Sequence, residues 1–164
     1  MEKQNKQSEP SFYVNFEKVY ARNIDSNISL LNFLRHNCKF TGTKEGCSEG
    51  DCGACSVLIF DEKGSLAPVN SCILKVGQIL DKNIVTIEGA SKLSSAKPLI
   101  EALNSKAASQ CGFCTPGFVM AALALKEKHK NPSERVIHDS LSGNLCRCTA
   151  VSYTHLTLPT NREV

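Results

Sequence analysis

Ten residues concentrate the chemistry of this chain: Gly46-Cys47-Ser48-Glu49-Gly50-Asp51-Cys52-Gly53-Ala54-Cys55. Cys47, Cys52 and Cys55 stand at C-x4-C-x2-C spacing, the spacing of plant-type [2Fe–2S] sites. Such a site needs a fourth thiolate, and Cys72 follows seventeen positions after Cys55. A loop that wraps a cluster turns backbone N–H groups toward sulfur, which asks for positive φ angles and close backbone approach. Gly46, Gly50 and Gly53 allow both. Two other uses of cysteine compete. A four-cysteine zinc site usually pairs two C-x2-C knuckles, and here one is replaced by C-x4-C. A disulfide pair would not need the glycines.

A second set lies further on. Cys111-Gly112-Phe113-Cys114 comes just before an expected helix, and Cys146-Arg147-Cys148 just after another. C-x2-C is a common zinc knuckle, whereas C-x-C is an unusual second half for structural zinc. Iron–sulfur and zinc both remain open for this set on spacing alone. A first cluster in the same chain favours iron, because one-electron carriers are useful in series. Cys38, the ninth cysteine, reads as a small buried hydrophobe at a helix end. His36, His129, His138 and His155 show no pairing with the cysteines, so a Rieske site, with two His ligands, is not indicated. The sequence has no Ser/His/Asp triad, P-loop or dinucleotide fingerprint.

Composition bounds these readings. The 164 residues suffice for one ordinary domain or two small ones. With 41% hydrophobic residues, 6% aromatic and no Trp, the expected cores are aliphatic and small. Nine cysteines mean disulfides or metal. The polar start MEKQNKQSEP lacks the apolar region of a secretory signal. A reducing, cytoplasmic location is therefore expected, which disfavours a disulfide scaffold. The longest apolar run, 118–125, is too short to span a membrane. Residues 11–90 carry 8 Lys/Arg against 9 Asp/Glu, and residues 91–150 carry 8 against 4. Two oxidised clusters, each −2 with its thiolates, would take the formal charge from +3 to −1. The basic balance is thus no argument for nucleic acid.

The elements that must hold these cysteines follow from patterning. Residues 1–10 read as a disordered tail. Residues 11–16 and 18–22 read as a hairpin. Residues 27–37 put Ile28, Leu31 and Leu34 on one helical face, with Ser26 or Asn27 as the cap. The first cysteine loop spans 42–55. A strand over 57–60, a turn over 61–64 and a strand pair near 66–74 and 84–87 follow. Strands flanking one helix, with the cysteine loop after it, is the order of a β-grasp ferredoxin. From Gly89 the pattern becomes helical, with a linker near 89–96. Helices are expected at 98–106, from Thr115-Pro116 to about Lys128 with Thr115 as cap, and from Asn131-Pro132 to about Leu141. The expected organisation is α+β: a β-grasp, plant-type [2Fe–2S] ferredoxin domain over 11–89, then an all-α helical-bundle [2Fe–2S] domain over 90–150.

Laid end to end, TGTKEGCSEGDCGACSV (41–57), Asn70-Ser71-Cys72, SQCGFCTPGFVM (109–120) and LSGNLCRCT (141–149) resemble the iron–sulfur subunit of molybdenum hydroxylases. The likeness runs from about 12 to 149. It is strongest to the N-terminal part of the small, flavin-containing subunit of bacterial xanthine dehydrogenases, to which Glu49-Gly50-Asp51 is similar. The resemblance implies one cluster on Cys47, Cys52, Cys55 and Cys72, and a second on Cys111, Cys114, Cys146 and Cys148. It implies electron flow from a molybdopterin centre, through the helical-domain cluster and then the β-grasp cluster, to FAD and NAD. Gln110 and Cys148 match family positions against the pterin. Implied partners are a molybdopterin-binding large subunit and a FAD domain, fused downstream or separate, with no nucleic acid and no membrane. The alternative branch is a stand-alone small subunit of an aldehyde or carbon monoxide dehydrogenase type. A zinc-stabilised binding module is the reading from another class. After Cys148-Thr149 the sequence departs from the family pattern, and residues 151–164 read as a non-native tail.

Overall fold

The computed structural model of the chain describes residues 9–60 and 64–148. Residues 1–8 of the expected tail, most of the expected turn at 61–64, and the tail at 151–164 lie outside them.

Five strands form one mixed sheet: β1 (Ser11–Val14), β2 (Glu17–Tyr20), β3 (Ser56–Phe60), β4 (Leu66–Asn70) and β5 (Asn83–Val85), in the order β2-β1-β5-β3-β4. The β1–β2 hairpin is closed by Asn15 and Phe16, both at positive φ (52° and 73°), as a two-residue hairpin turn requires. Asn15 is held there by Thr86, whose N–H donates to Asn15 Oδ1 at 2.8 Å. The strands expected near 66–74 and 84–87 both form, but not as a pair. β4 and β5 lie on either side of β3 and both run antiparallel to it. The reason is in β3 itself: Val57, Leu58 and Ile59 are all buried, so this strand is covered on both faces and belongs at the centre.

Alternation along β3 divides the core in two. Val57 and Ile59 pack with Phe12, Val14, Leu30, Leu34 and Ile84 on one face. Leu58 packs with Val85, Val119, Met120 and Leu123 on the other. The first face is covered by α1 (Leu30–Asn32), which widens into a π-helical turn over Phe33–Asn37. Its cap is Ser29, whose hydroxyl accepts from the Asn32 N–H at 3.2 Å. The expected caps lie in the turn before it, where the Asn27 backbone N–H donates to Asp25 and the Ser26 carbonyl accepts from Gly77.

The opposite face is covered by α4 (Thr115–Lys128), with helices α2 (Ile87–Ala90) and α3 (Lys97–Ser105) packed beside it and α5 (Glu134–Leu141) packed on α4. Among the described residues no strand follows β5. The segment expected as a linker at 89–96 is anchored: Ala90 and Ala96 are fully buried, and Lys126 Nζ donates to the Ser95 carbonyl at 2.9 Å. Helix α4 carries Pro116 in its first turn, where the missing N–H costs nothing. Its cap position is Cys114, not Thr115, whose hydroxyl shares a 2.8 Å hydrogen bond with Ser109. Helix α5 starts two residues later than expected, capped by the Ser133 hydroxyl. The molecule is thus α+β, with one sheet serving both cores. No helix of the described residues is long and apolar enough to cross a membrane.

Candidate metal centres

The first cysteine loop hangs from the sheet. Cys55 immediately precedes β3, and Cys72 lies two residues beyond β4, so the β3–β4 pairing brings them together. Ser71 clamps this corner: its hydroxyl donates to the Cys55 carbonyl at 2.7 Å, and its N–H does so at 3.3 Å. At the other end, Arg35 from the π-turn donates to the carbonyls of Thr41 (3.0 Å) and Thr43 (2.7 Å). The Gly42 N–H donates to Glu88 at 2.8 Å. Between these anchors the backbone curls inward. Gly50 and Gly53 take positive φ (85° and 69°), as does Ser48 (61°). Gly46 serves by close approach, since a Cβ there would sit 2.7 Å from Cys52 Sγ.

The inward turn has an electrostatic result. Cys47 Sγ accepts from the Asp51 and Cys52 N–H groups, both at 3.3 Å. The backbone amides of Cys52, Glu49 and Asp51, in that order, draw the Cys47 thiol down to about 7. Burial pushes Cys72 up to about 11, with the neighbouring Cys55 sulfur adding to it. Cys52 is the sulfur neighbour that acts on Cys47, and Cys55 the one that acts most on Cys72.

The second set stands on helix ends. Cys114 occupies the N-cap position of α4, Cys111 precedes it across Gly112 (φ 81°), and Cys146 and Cys148 follow α5. Cys111 and Cys148 sulfurs are 3.4 Å apart. The Phe113 amide lowers the Cys111 thiol, while burial raises Cys114 to about 11, helped by the Cys146 sulfur beside it. Here too the four form two pairs, Cys111 with Cys148 and Cys114 with Cys146.

Pairing is what a two-iron core asks of its ligands, two thiolates to each iron. Among the described residues no three His, Cys, Asp or Glu side chains converge as a single metal ion would need. Neighbouring thiols, inward amides and a glycine where a side chain would strike sulfur suit [2Fe–2S] ligation. The sets also face one another. An apolar cavity of about 570 Å³ is lined by Gly46, Cys47, Cys52 and Ala54 on one side. Cys111, Phe113, Cys114 and Leu145 to Cys148 line the other.

Gln110, expected beside a pterin, is exposed one position before Cys111. Cys38 is half-buried, packs against the first core, and is raised to about 11 by that burial, in keeping with an apolar role. Patterning did not anticipate Asn144, Gly117 or the Asn15–Thr86 contact. Only Gly117, a glycine early in a helix, carries a signal, since such a glycine often marks close backbone approach.

Comparison with known proteins agrees with this chemistry. Residues 86–155 match the family model of a [2Fe-2S] binding domain. Aldehyde oxidase 1 of Rattus norvegicus is 42% identical over 144 residues, covering 84% of this chain and 11% of that protein. Xanthine dehydrogenase of Emericella nidulans is 40% identical over 143 residues, covering 84% and 10%. The chain therefore spans about a tenth of the length of these curated relatives. Quinoline 2-oxidoreductase from Pseudomonas putida 86 superposes with a TM-score of 0.69 at 32% identity, covering 86% of this chain and 85% of that one. Aldehyde oxidoreductase from Desulfovibrio desulfuricans gives a TM-score of 0.73 at 31% identity, covering 85% and 15%. This chain belongs to the iron–sulfur region of the molybdenum hydroxylase family, alongside those of aldehyde oxidases and xanthine dehydrogenases.

Proposed function

We propose that the chain is an electron-transfer module carrying two [2Fe–2S] clusters, between a molybdopterin centre on a partner subunit or domain and a FAD/NAD site. The observation that carries this reading is the resolution of eight cysteines into two facing sets, each of two thiol pairs. Cys47, Cys52, Cys55 and Cys72 would hold one cluster, and Cys111, Cys114, Cys146 and Cys148 the other. Each cluster supplies a one-electron acceptor and donor. The protein's share is ligation, orientation and shielding. Backbone amides around Cys47 and Cys111 stabilise thiolate charge. Ala54, Phe113 and Leu145 keep the space between the sets apolar.

The strand order β2-β1-β5-β3-β4 supports a β-grasp ferredoxin reading for residues 11–89, and the helices after it a helical cluster-binding unit over 90–150. Gln110, exposed one position before Cys111, and Cys148, half-buried beside Cys111, are the residues we assign to the pterin side. Two arrangements of the whole enzyme remain candidates. A fused xanthine dehydrogenase type is favoured by Glu49-Gly50-Asp51. A separate small subunit of an aldehyde or carbon monoxide dehydrogenase type is the alternative. Native sequence downstream of residue 149 decides between them.

Anaerobically purified protein should be red-brown, with thiolate-to-iron charge-transfer bands, and should give two distinguishable EPR signals after dithionite reduction. Colourless, zinc-loaded protein would refute the reading.

A further inference from the structure

We propose that Asn144 is the positioning residue that fixes the separation and orientation of the two cysteine sets. The inference rests on the two-cluster reading above. Asn144 lies two residues before Cys146, and its side-chain Nδ2 donates to the carbonyl of Gly53 at 3.0 Å. Gly53 itself lies between Cys52 and Cys55. The next residue adds a second tie: the Leu145 N–H donates to the Cys52 carbonyl at 3.0 Å. Two consecutive residues of the second set thus bind two consecutive carbonyls of the first.

The surroundings are shaped for this contact. A Cβ on Gly53 would strike the Gly143 carbonyl and the Asn144 side chain, and one on Gly117 would strike the Gly53 carbonyl. Three backbones therefore meet where no side chain fits, and the Asn144 amide is the polar group reaching across. The Gly53 carbonyl also accepts from the Ser56 N–H (3.1 Å) and hydroxyl (2.8 Å), so its direction is set from the sheet side. Asn144 transmits that direction to the segment carrying Cys146. Elsewhere the sets face each other across the apolar cavity. A cluster site holds its geometry only as well as the hydrogen bonds behind its ligands. Loss of the Nδ2 donor should therefore change how one cluster sits relative to the other while leaving every thiolate in place.

The readout is magnetic. Two reduced [2Fe–2S] centres at close range split each other's EPR lines, and the splitting depends steeply on their separation and orientation. The test uses the full chain loaded anaerobically, as wild type, Asn144→Ala and Asn144→Asp. Wild type should bind about four irons and show two signals with resolved splitting on full reduction. Wild type with a single signal would overturn the two-cluster reading and this proposal with it. Both variants should keep full iron and each cluster's own g values, and show a changed splitting. The effect should be greater for Asn144→Asp, whose oxygen faces the Gly53 carbonyl. Unchanged splitting in Asn144→Ala with full iron would overturn the proposal. Loss of iron from Asn144→Ala would make Asn144 a determinant of assembly and overturn the positioning role as well.

Discussion

Cys55 and Cys72 sit at the paired ends of two strands, one just before β3 and the other just past β4, with Ser71 bonded back to the Cys55 carbonyl. Cys111 and Cys148 sit beyond helix ends, and the helices on either side of them, α3 and α5, bury no residue fully. The first set is placed by a sheet with core on both faces. The second leans on α4, on the Asn144 and Leu145 ties, and on whatever its thiols bind. On the two-cluster reading, preorganisation and metal would share the work differently at the two sites, since metal binding to a poorly preformed site contributes directly to folding.

Removing the common scaffold should erase the difference. Leu58 is fully buried on β3, against α4. Leu58→Ala should cost about 2–5 kcal/mol in a denaturant melt. Because β3 serves both cores, fluorescent probes placed in either half should report one transition. Two separated transitions would show that the halves are independent.

A smaller perturbation acts at the junction. Gly117→Ala drives a methyl into the Gly53 carbonyl, a backbone atom that cannot swing aside. It should cost about 1–3 kcal/mol. A variant as stable as wild type would mean that α4 does not press on the first loop.

Chelating the metal should act unequally. By hydrogen exchange, amides of α5 and residues 143–148 should exchange roughly tenfold faster or more in the metal-free protein, while β3 amides change little. Equal loss of protection in both regions would contradict the contrast between a sheet-built and a ligand-built site.

The least effect concerns Cys38, which belongs to neither set. Burial raises its thiol from 9.0 to about 11. The folded state therefore keeps its proton where the unfolded chain would lose it. Any stability this provides is complete below about pH 9 and lost as pH rises through 11. Alkylation of Cys38 in cluster-loaded protein should be slow at pH 8 and accelerate toward pH 11. Rapid labelling at pH 8 would place this thiol in solvent.

The cysteine spacing was legible because ligation to a cluster is a local, stereotyped demand: C-x4-C-x2-C and its glycines must form one tight loop. Element positions were legible too, since Pro98, Pro116 and the apolar run 57–60 are short-range signals. Pairing was not. Leu66–Asn70 and Asn83–Val85 looked like partners, and only three-dimensional burial of β3 places it between them. Caps were misplaced by up to three residues, because Ser26, Asn27 and Ser29 are chemically interchangeable in sequence. Thr115 failed as a cap because its hydroxyl found Ser109. The apparent linker at 89–96 has a loop-like composition, yet its alanines are small enough to be buried under α4. Asn144 and Gly53 are ninety-one positions apart, and nothing in either neighbourhood announces the other.

Iron and labile sulfide per chain in Cys55→Ser and in Cys111→Ser, with EPR of each reduced protein, test the central claim most directly. Two separate four-thiolate sites predict that each variant loses about half the iron and one signal, a different one in each case. Loss of both signals from either variant, or retention of full iron by both, would contradict it.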